Sequence, residues 1–113
     1  MTTPQKAKGS QWERDVARYF NENGYPHVER RYGAGNTKDK GDLNGFAHTI
    51  VIECKNTKSI TLASICDETE VERQNGNADI GLAVIKRRGK GAASAYAVIP
   101  LEQMVKLLHD GGY

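Results

Sequence analysis

Apolar and polar positions along this chain divide it into eight short elements. Trp12, Val16, Tyr19 and Phe20 recur at helical spacing and predict a first helix from about Ser10 to Asn23. Ser10-Gln11-Trp12-Glu13 reads as its capping box, with Ser10 as N-cap and Glu13 as the partner three residues on. Gly24 and Pro26 stop it. Residues 1–8 are polar and are expected to form a flexible arm, which leaves 9–113 as a single domain. Val28 to Tyr32 reads as a short strand, and Asp42–Phe46 and His48–Lys55 as two more. Ile60 to about Gly76 has a looser helical pattern through Leu62, Ile65, Cys66 and Thr69, with Thr61 as a candidate N-cap. Ile80–Ile85 is an apolar run of strand length, and Ala95–Ile99 another, closed by Pro100. Leu101, Met104, Val105, Leu107 and Leu108 then form a final amphipathic helix ended by Gly111. The order α-β-β-β-α-β-β-α predicts an α/β domain with a mixed five-stranded sheet flanked by helices.

The register of the second and third strands decides what meets what. Asn44-Gly45 is a strong two-residue turn signal. A turn there separates Asp42 from Glu53 by roughly 20 Å at the usual strand rise. A turn centred on Ala47-His48 instead pairs Phe46 with Thr49, Leu43 with Ile52 and Asp42 with Glu53. Opposed residues share a face, with Cβ atoms about 5 Å apart. We favour the second register, with Asn44-Gly45 as a bulge or bend. Side-chain alternation then puts Val51, Glu53 and Lys55 on one face of the strand and Ile50, Ile52 and Cys54 on the other.

Charge changes the picture more by its placement than by its sum. The 113 residues carry a net charge of only +2. Positive residues nevertheless cluster at Arg30-Arg31, at Lys38 and Lys40, at Lys55–Lys58 and at Lys86-Arg87-Arg88 with Lys90, beside short glycine-rich segments. That clustering points to a phosphate-binding surface. The loop Gly33–Gly41 is glycine-rich and basic but lacks the Lys-Ser/Thr ending of a nucleoside-triphosphate loop. Cys54 and Cys66 form neither a disulfide framework nor a metal-knuckle spacing and are expected to be reduced. With no apolar run near the ~18 residues of a membrane span and no signal-peptide pattern at the N-terminus, the expected compartment is the cytoplasm and no membrane partner is expected.

The chemistry-bearing constellation is Asp42, Glu53 and Lys55: an acid, ten residues, an acid, one residue, a lysine. Phosphodiester hydrolysis needs a stabilised, doubly charged pentacovalent centre and a strong nucleophile near neutral pH. Paired carboxylates favour hard cations such as Mg²⁺. Such an ion polarises phosphate and acidifies water. A neighbouring lysine orients the attacking water and offsets developing charge. Glu-x-Lys alone is a weak signal. It strengthens where it ends an apolar strand and a paired strand supplies Asp42.

The Asp42…Glu53-x-Lys55 pattern resembles the PD-(D/E)XK nuclease superfamily, and within it the archaeal-type Holliday junction resolvase branch. Lys8-Gly9-Ser10-x-x-Glu13-Arg14 looks like that branch's opening motif, Gly41-Asp42-Leu43 stands where the family has Pro-Asp, and Ile52-Glu53-Cys54-Lys55 matches its catalytic strand. The likeness runs from about residue 7 to 108. It departs at Gly41 and in a short Asp-to-Glu interval. It implies a restriction-endonuclease-like fold and a metal-dependent endonuclease leaving 5′-phosphate ends. Asp42 and Glu53 would bind Mg²⁺, with Mn²⁺ as a substitute; Lys55 would position water, and Glu13 would be a further acidic site residue. Arg30 or Arg31, preferably Arg31, would contact phosphate near the scissile bond, as would Ser10. Lys38, Lys40, Lys58, Lys86, Arg87 and Arg88 would grip the DNA backbone, and Gln74 would be a supporting polar residue. The expected substrate is a four-way DNA junction, cut by a homodimer. The alternatives are a nuclease on duplex, nicked or flap DNA, and a non-catalytic nucleic-acid-binding module.

Overall fold

The computed structural model describes residues 3–31, 41–47 and 49–113. Its elements are α1 (Pro4–Glu22), β1 (Glu29–Arg30), β2 (Leu43–Asn44), β3 (Ile50–Lys55), α2 (Leu62–Asn75), β4 (Ile80–Ile85), β5 (Tyr96–Val98) and α3 (Leu101–Asp110), with a single 3₁₀ turn at Ala92–Ser94 before β5. The helix and strand order is the one the apolar pattern predicts. The strands do not form one sheet. Among the described residues they form a two-stranded antiparallel pair, β1-β2, and a three-stranded mixed sheet in the order β3-β4-β5. β3 and β4 run parallel, from Ile50 opposite Ile80 to Lys55 opposite Ile85, and β5 is antiparallel to β4.

α1 begins earlier than expected. Thr3 is its N-cap, its hydroxyl accepting from the Lys6 amide at 3.1 Å, and Pro4 opens the first turn. Proline suits that position because its missing N–H would have no helical partner there. Residues 4–8 are therefore helix rather than arm, and Ser10 lies inside the helix rather than capping it. Trp12, Val16 and Ala17 are its buried face.

Strand alternation is realised as expected. Ile50, Ile52 and Cys54 pack with Leu82 and Val84 toward Trp12, Val16 and Leu43. Trp12 satisfies its indole N–H by donating to the Val84 carbonyl at 3.3 Å. On the opposite face Ala83 and Ile85 pack with Ile65 of α2. The three-stranded sheet thus lies between α1 and α2, and β3, at its edge, presents one face to each helix.

The expected β2–β3 hairpin does not form. β2 pairs with β1 instead, Glu29 opposite Asn44 and Arg30 opposite Leu43. Gly45 makes this possible: its φ is +104°, and a Cβ there would stand 2.1 Å from the His27 carbonyl oxygen. Only glycine fits so close a backbone approach. The residue before β2 still reaches β3: the Asp42 amide donates to the Ile52 carbonyl at 2.8 Å.

Candidate active site

Asp42 and Glu53 meet despite the missing ladder. The Cys54 amide donates to Asp42 Oδ2 at 2.8 Å, which ties the carboxylate to the end of β3. Asp42 lies close enough to Glu53 to act on its protonation. The juxtaposition expected from the hairpin register therefore holds through one backbone hydrogen bond and one side-chain anchor. Gly41 sets up the approach. It has φ +91°, and a Cβ there would stand 2.9 Å from Val51 Cγ1 and 3.0 Å from the Ile52 carbonyl oxygen.

Glu53 is 4 % exposed. Burial pushes its carboxyl up to about 8; Asp42 and the charge of Lys55 oppose this, and Glu72 reinforces it. Glu72, on α2, is 1 % exposed. Glu68, one helical turn before it, faces the same way, since residues four apart are neighbours on a helix. One carboxylate oxygen each from Glu53, Glu68 and Glu72 lie within 4.8 Å of one another. Lys55 Nζ pairs with Glu68 Oε2 at 2.9 Å. Burial pulls the Lys55 ammonium down, but that pair and the charges of Glu53 and Asp42 outweigh it, so the lysine is held above its ordinary value.

Glu13 approaches from α1. Its Oε1 accepts from Arg30 Nε at 3.0 Å. Burial and the charge of Asp42 raise its carboxyl above the ordinary value, against the pull of Arg30. Arg30 Nη2 also donates to the Ser10 hydroxyl at 3.2 Å. Arg30 thus joins Ser10 and Glu13 across α1 and β1. Arg31 is half-buried beside Asp42, its amide donating to the Asp42 carbonyl at 2.7 Å, and its Nε is buried with no hydrogen-bond partner among the described residues.

The structure therefore brings Glu13, Asp42, Glu53 and Lys55 together, with Ser10, Arg30 and Arg31 at one border. Gln74 is elsewhere, beside Glu70 and on a different side of α2 from Glu72. Lys38 and Lys40 lie outside the described residues. Lys58, Lys86 and Arg88 line a separate hollow, and the Arg87 guanidinium stacks over the Tyr96 ring at 4.8 Å. Glu68 and Glu72 were not foreseen. The run Asp67-Glu68-Thr69-Glu70 reads as a solvated acidic face, yet the buried positions of α2 are Ile65, Thr69 and Glu72. The signal was there: Glu72 continues the Ile65–Thr69 stripe at helical spacing, where an apolar residue would be expected.

The donor set is made only of carboxylates, the ligand chemistry of Mg²⁺, Mn²⁺ or Ca²⁺ rather than of zinc or copper. Three carboxylates crowded around a buried Glu53 repel one another unless a proton or a cation intervenes. The residues present fit a hard divalent ion. Comparisons with protein-family models, with curated proteins and with solved structures find no match to this chain.

Proposed function

We propose that this chain is a divalent-metal-dependent endonuclease that hydrolyses phosphodiester bonds in DNA, with a four-way junction as substrate. The observation that carries the proposal is the meeting of Asp42, Glu53 and Lys55 at the end of β3. That is the constellation for which the sequence resembles PD-(D/E)XK nucleases and their junction-resolving branch. Gly41 replaces the proline of that pattern, and the backbone supplies a reason: φ +91° is closed to proline, whose ring fixes φ near −65°.

Asp42 and Glu53 would hold Mg²⁺ or Mn²⁺, with Glu72 and Glu68 completing the acidic surround. The bound ion would supply charge neutralisation at the phosphate and a more acidic water. Lys55, kept charged by its pair with Glu68, orients the attacking water and faces the charge that develops on phosphorus substituents. Glu13 adds negative charge beside Asp42 and is itself steered by Arg30. Arg31 is the better candidate for the scissile phosphate, because Arg30 already serves Glu13 and Ser10. A homodimer suits paired incisions across a junction, and the exposed apolar residues of α3 are the surface proposed for it.

The proposal is tested by Asp42→Asn and Glu53→Gln. Each is expected to lower cleavage at least 100-fold with junction binding retained. Full activity in either variant would remove the assigned metal pair.

A further inference from the structure

Asn56 and Thr57 follow Lys55 directly and line a hollow of about 370 Å³. Four cations line it with them: Lys8 from α1, Lys58 from the segment after β3, and Lys86 and Arg88 from the turn after β4. No acidic side chain is among its described lining residues. That composition contrasts with the carboxylate cluster at Glu53, three residues before Asn56. Like charges gathered from three stretches of chain repel one another, and such a concave cationic surface concentrates anions.

The hollow is built rather than accidental. Lys8 is carried there by α1, which starts at Pro4 and takes in the residues expected to form an arm. Lys86 is tethered: its Nζ donates to the Lys90 carbonyl at 2.5 Å and lies 5.1 Å from the Trp12 ring centroid. Gly89, with φ +73°, lets the turn fold back so that Lys86 and Arg88 both line the hollow, while Arg87 leaves it for Tyr96. Thr57 fixes the other wall by donating its hydroxyl to the Ser59 carbonyl at 2.8 Å. Asn56 adds a neutral amide able to donate to a phosphate oxygen.

We infer that this hollow is a phosphodiester-binding subsite that seats the backbone of a DNA strand beside the end of β3, with Lys8, Lys58 and Arg88 as its phosphate contacts. That the strand continues toward Glu53 and Lys55 rests on the proposed nuclease function; the binding of backbone phosphate rests on the hollow itself.

The test measures binding of a labelled four-way junction and of a matched linear duplex in EDTA between about 50 and 200 mM salt. The chains compared are the unaltered protein, Lys8→Ala, Lys58→Ala, Arg88→Ala, the triple variant and Arg18→Ala. Arg18 is an exposed cation ten residues, or about 15 Å, along α1 from Lys8. Circular dichroism checks that each variant folds. Each single change in the hollow is expected to weaken binding about 3- to 10-fold and to reduce the salt slope by about one. The triple variant should lose about 100-fold or more, and Arg18→Ala should match the unaltered protein. A folded triple variant that binds like the unaltered protein overturns the subsite, even if the protein cleaves DNA. The expected losses without cleavage under Mg²⁺ or Mn²⁺ would uphold the subsite and remove the nuclease function instead.

Discussion

A carboxyl group buried at the end of an apolar strand has consequences for stability as well as for chemistry. Folded Glu53 keeps its proton up to about pH 8, whereas the unfolded chain releases it near the ordinary value of 4.5. Between those values the folded state binds more protons, so stability falls as pH rises and levels off above about 8. Glu13, also raised, adds a contribution of the same sign. Thermal denaturation in EDTA should therefore show a midpoint that drops from pH 5 to pH 8, with a loss on the order of a few kcal/mol. Glu53→Gln should flatten that profile and be more stable than the parent at pH 8; an unchanged profile would mean that Glu53 is not protonated in the fold. Ligation requires the deprotonated carboxylate, so Mn²⁺ affinity should rise up to about tenfold per pH unit below 8. Calorimetric titration between pH 6 and pH 8 reads this directly, and a flat affinity would contradict it.

At the scale of elements, apolar periodicity made most of the fold legible. Ile80–Ile85 matches β4 residue for residue, and α2 and α3 begin where Thr61 and Pro100 place them. What the pattern missed depends on contacts it does not encode. The start of α1 rests on Thr3-Pro4 and on residues 5–8, which carry no apolar stripe. The β1–β2 pairing rests on the Gly45 backbone closing on His27, a tertiary approach that leaves no periodic trace. Asp42 reaches the end of β3 through its bonds to Ile52 and Cys54 rather than through the expected hairpin. Glu72 was missed because an acidic run masks the one carboxylate that turns inward. Two glycines separate these effects. Gly45→Ala should destabilise by about 3 kcal/mol or more, from positive φ and a backbone collision. Gly9→Ala lies within α1 with nothing within 4 Å of the added Cβ, and should stabilise by about 0.5–1 kcal/mol. Urea denaturation of both variants checks the pair, and equal effects would mean that Gly45 does not sit against His27.

At the scale of the whole molecule, α3 remains unaccounted for by the core. None of its residues is buried, and Leu101, Met104, Val105, Leu107 and Leu108 are all exposed. An amphipathic helix whose apolar face stays in water is a candidate interface, and two-fold pairing is the commonest closed arrangement. Sedimentation should give a dimer for the parent chain and a monomer for Val105→Asp combined with Leu108→Glu. A monomeric parent would remove α3 as the dimer surface. Among the described residues no helix is long and apolar enough to cross a membrane, so the exposed leucines of α3 do not mark a transmembrane span.

The proposed nuclease function rests on the joint placement of acids, lysine and cationic hollow. Its most direct test is cleavage of a labelled synthetic four-way junction against linear duplex of matched sequence, with Mg²⁺ and with EDTA. Paired, symmetric, Mg²⁺-dependent nicks in the junction, lost in Glu53→Gln, are the expected result. Junction binding without cleavage under Mg²⁺ or Mn²⁺ would contradict the account.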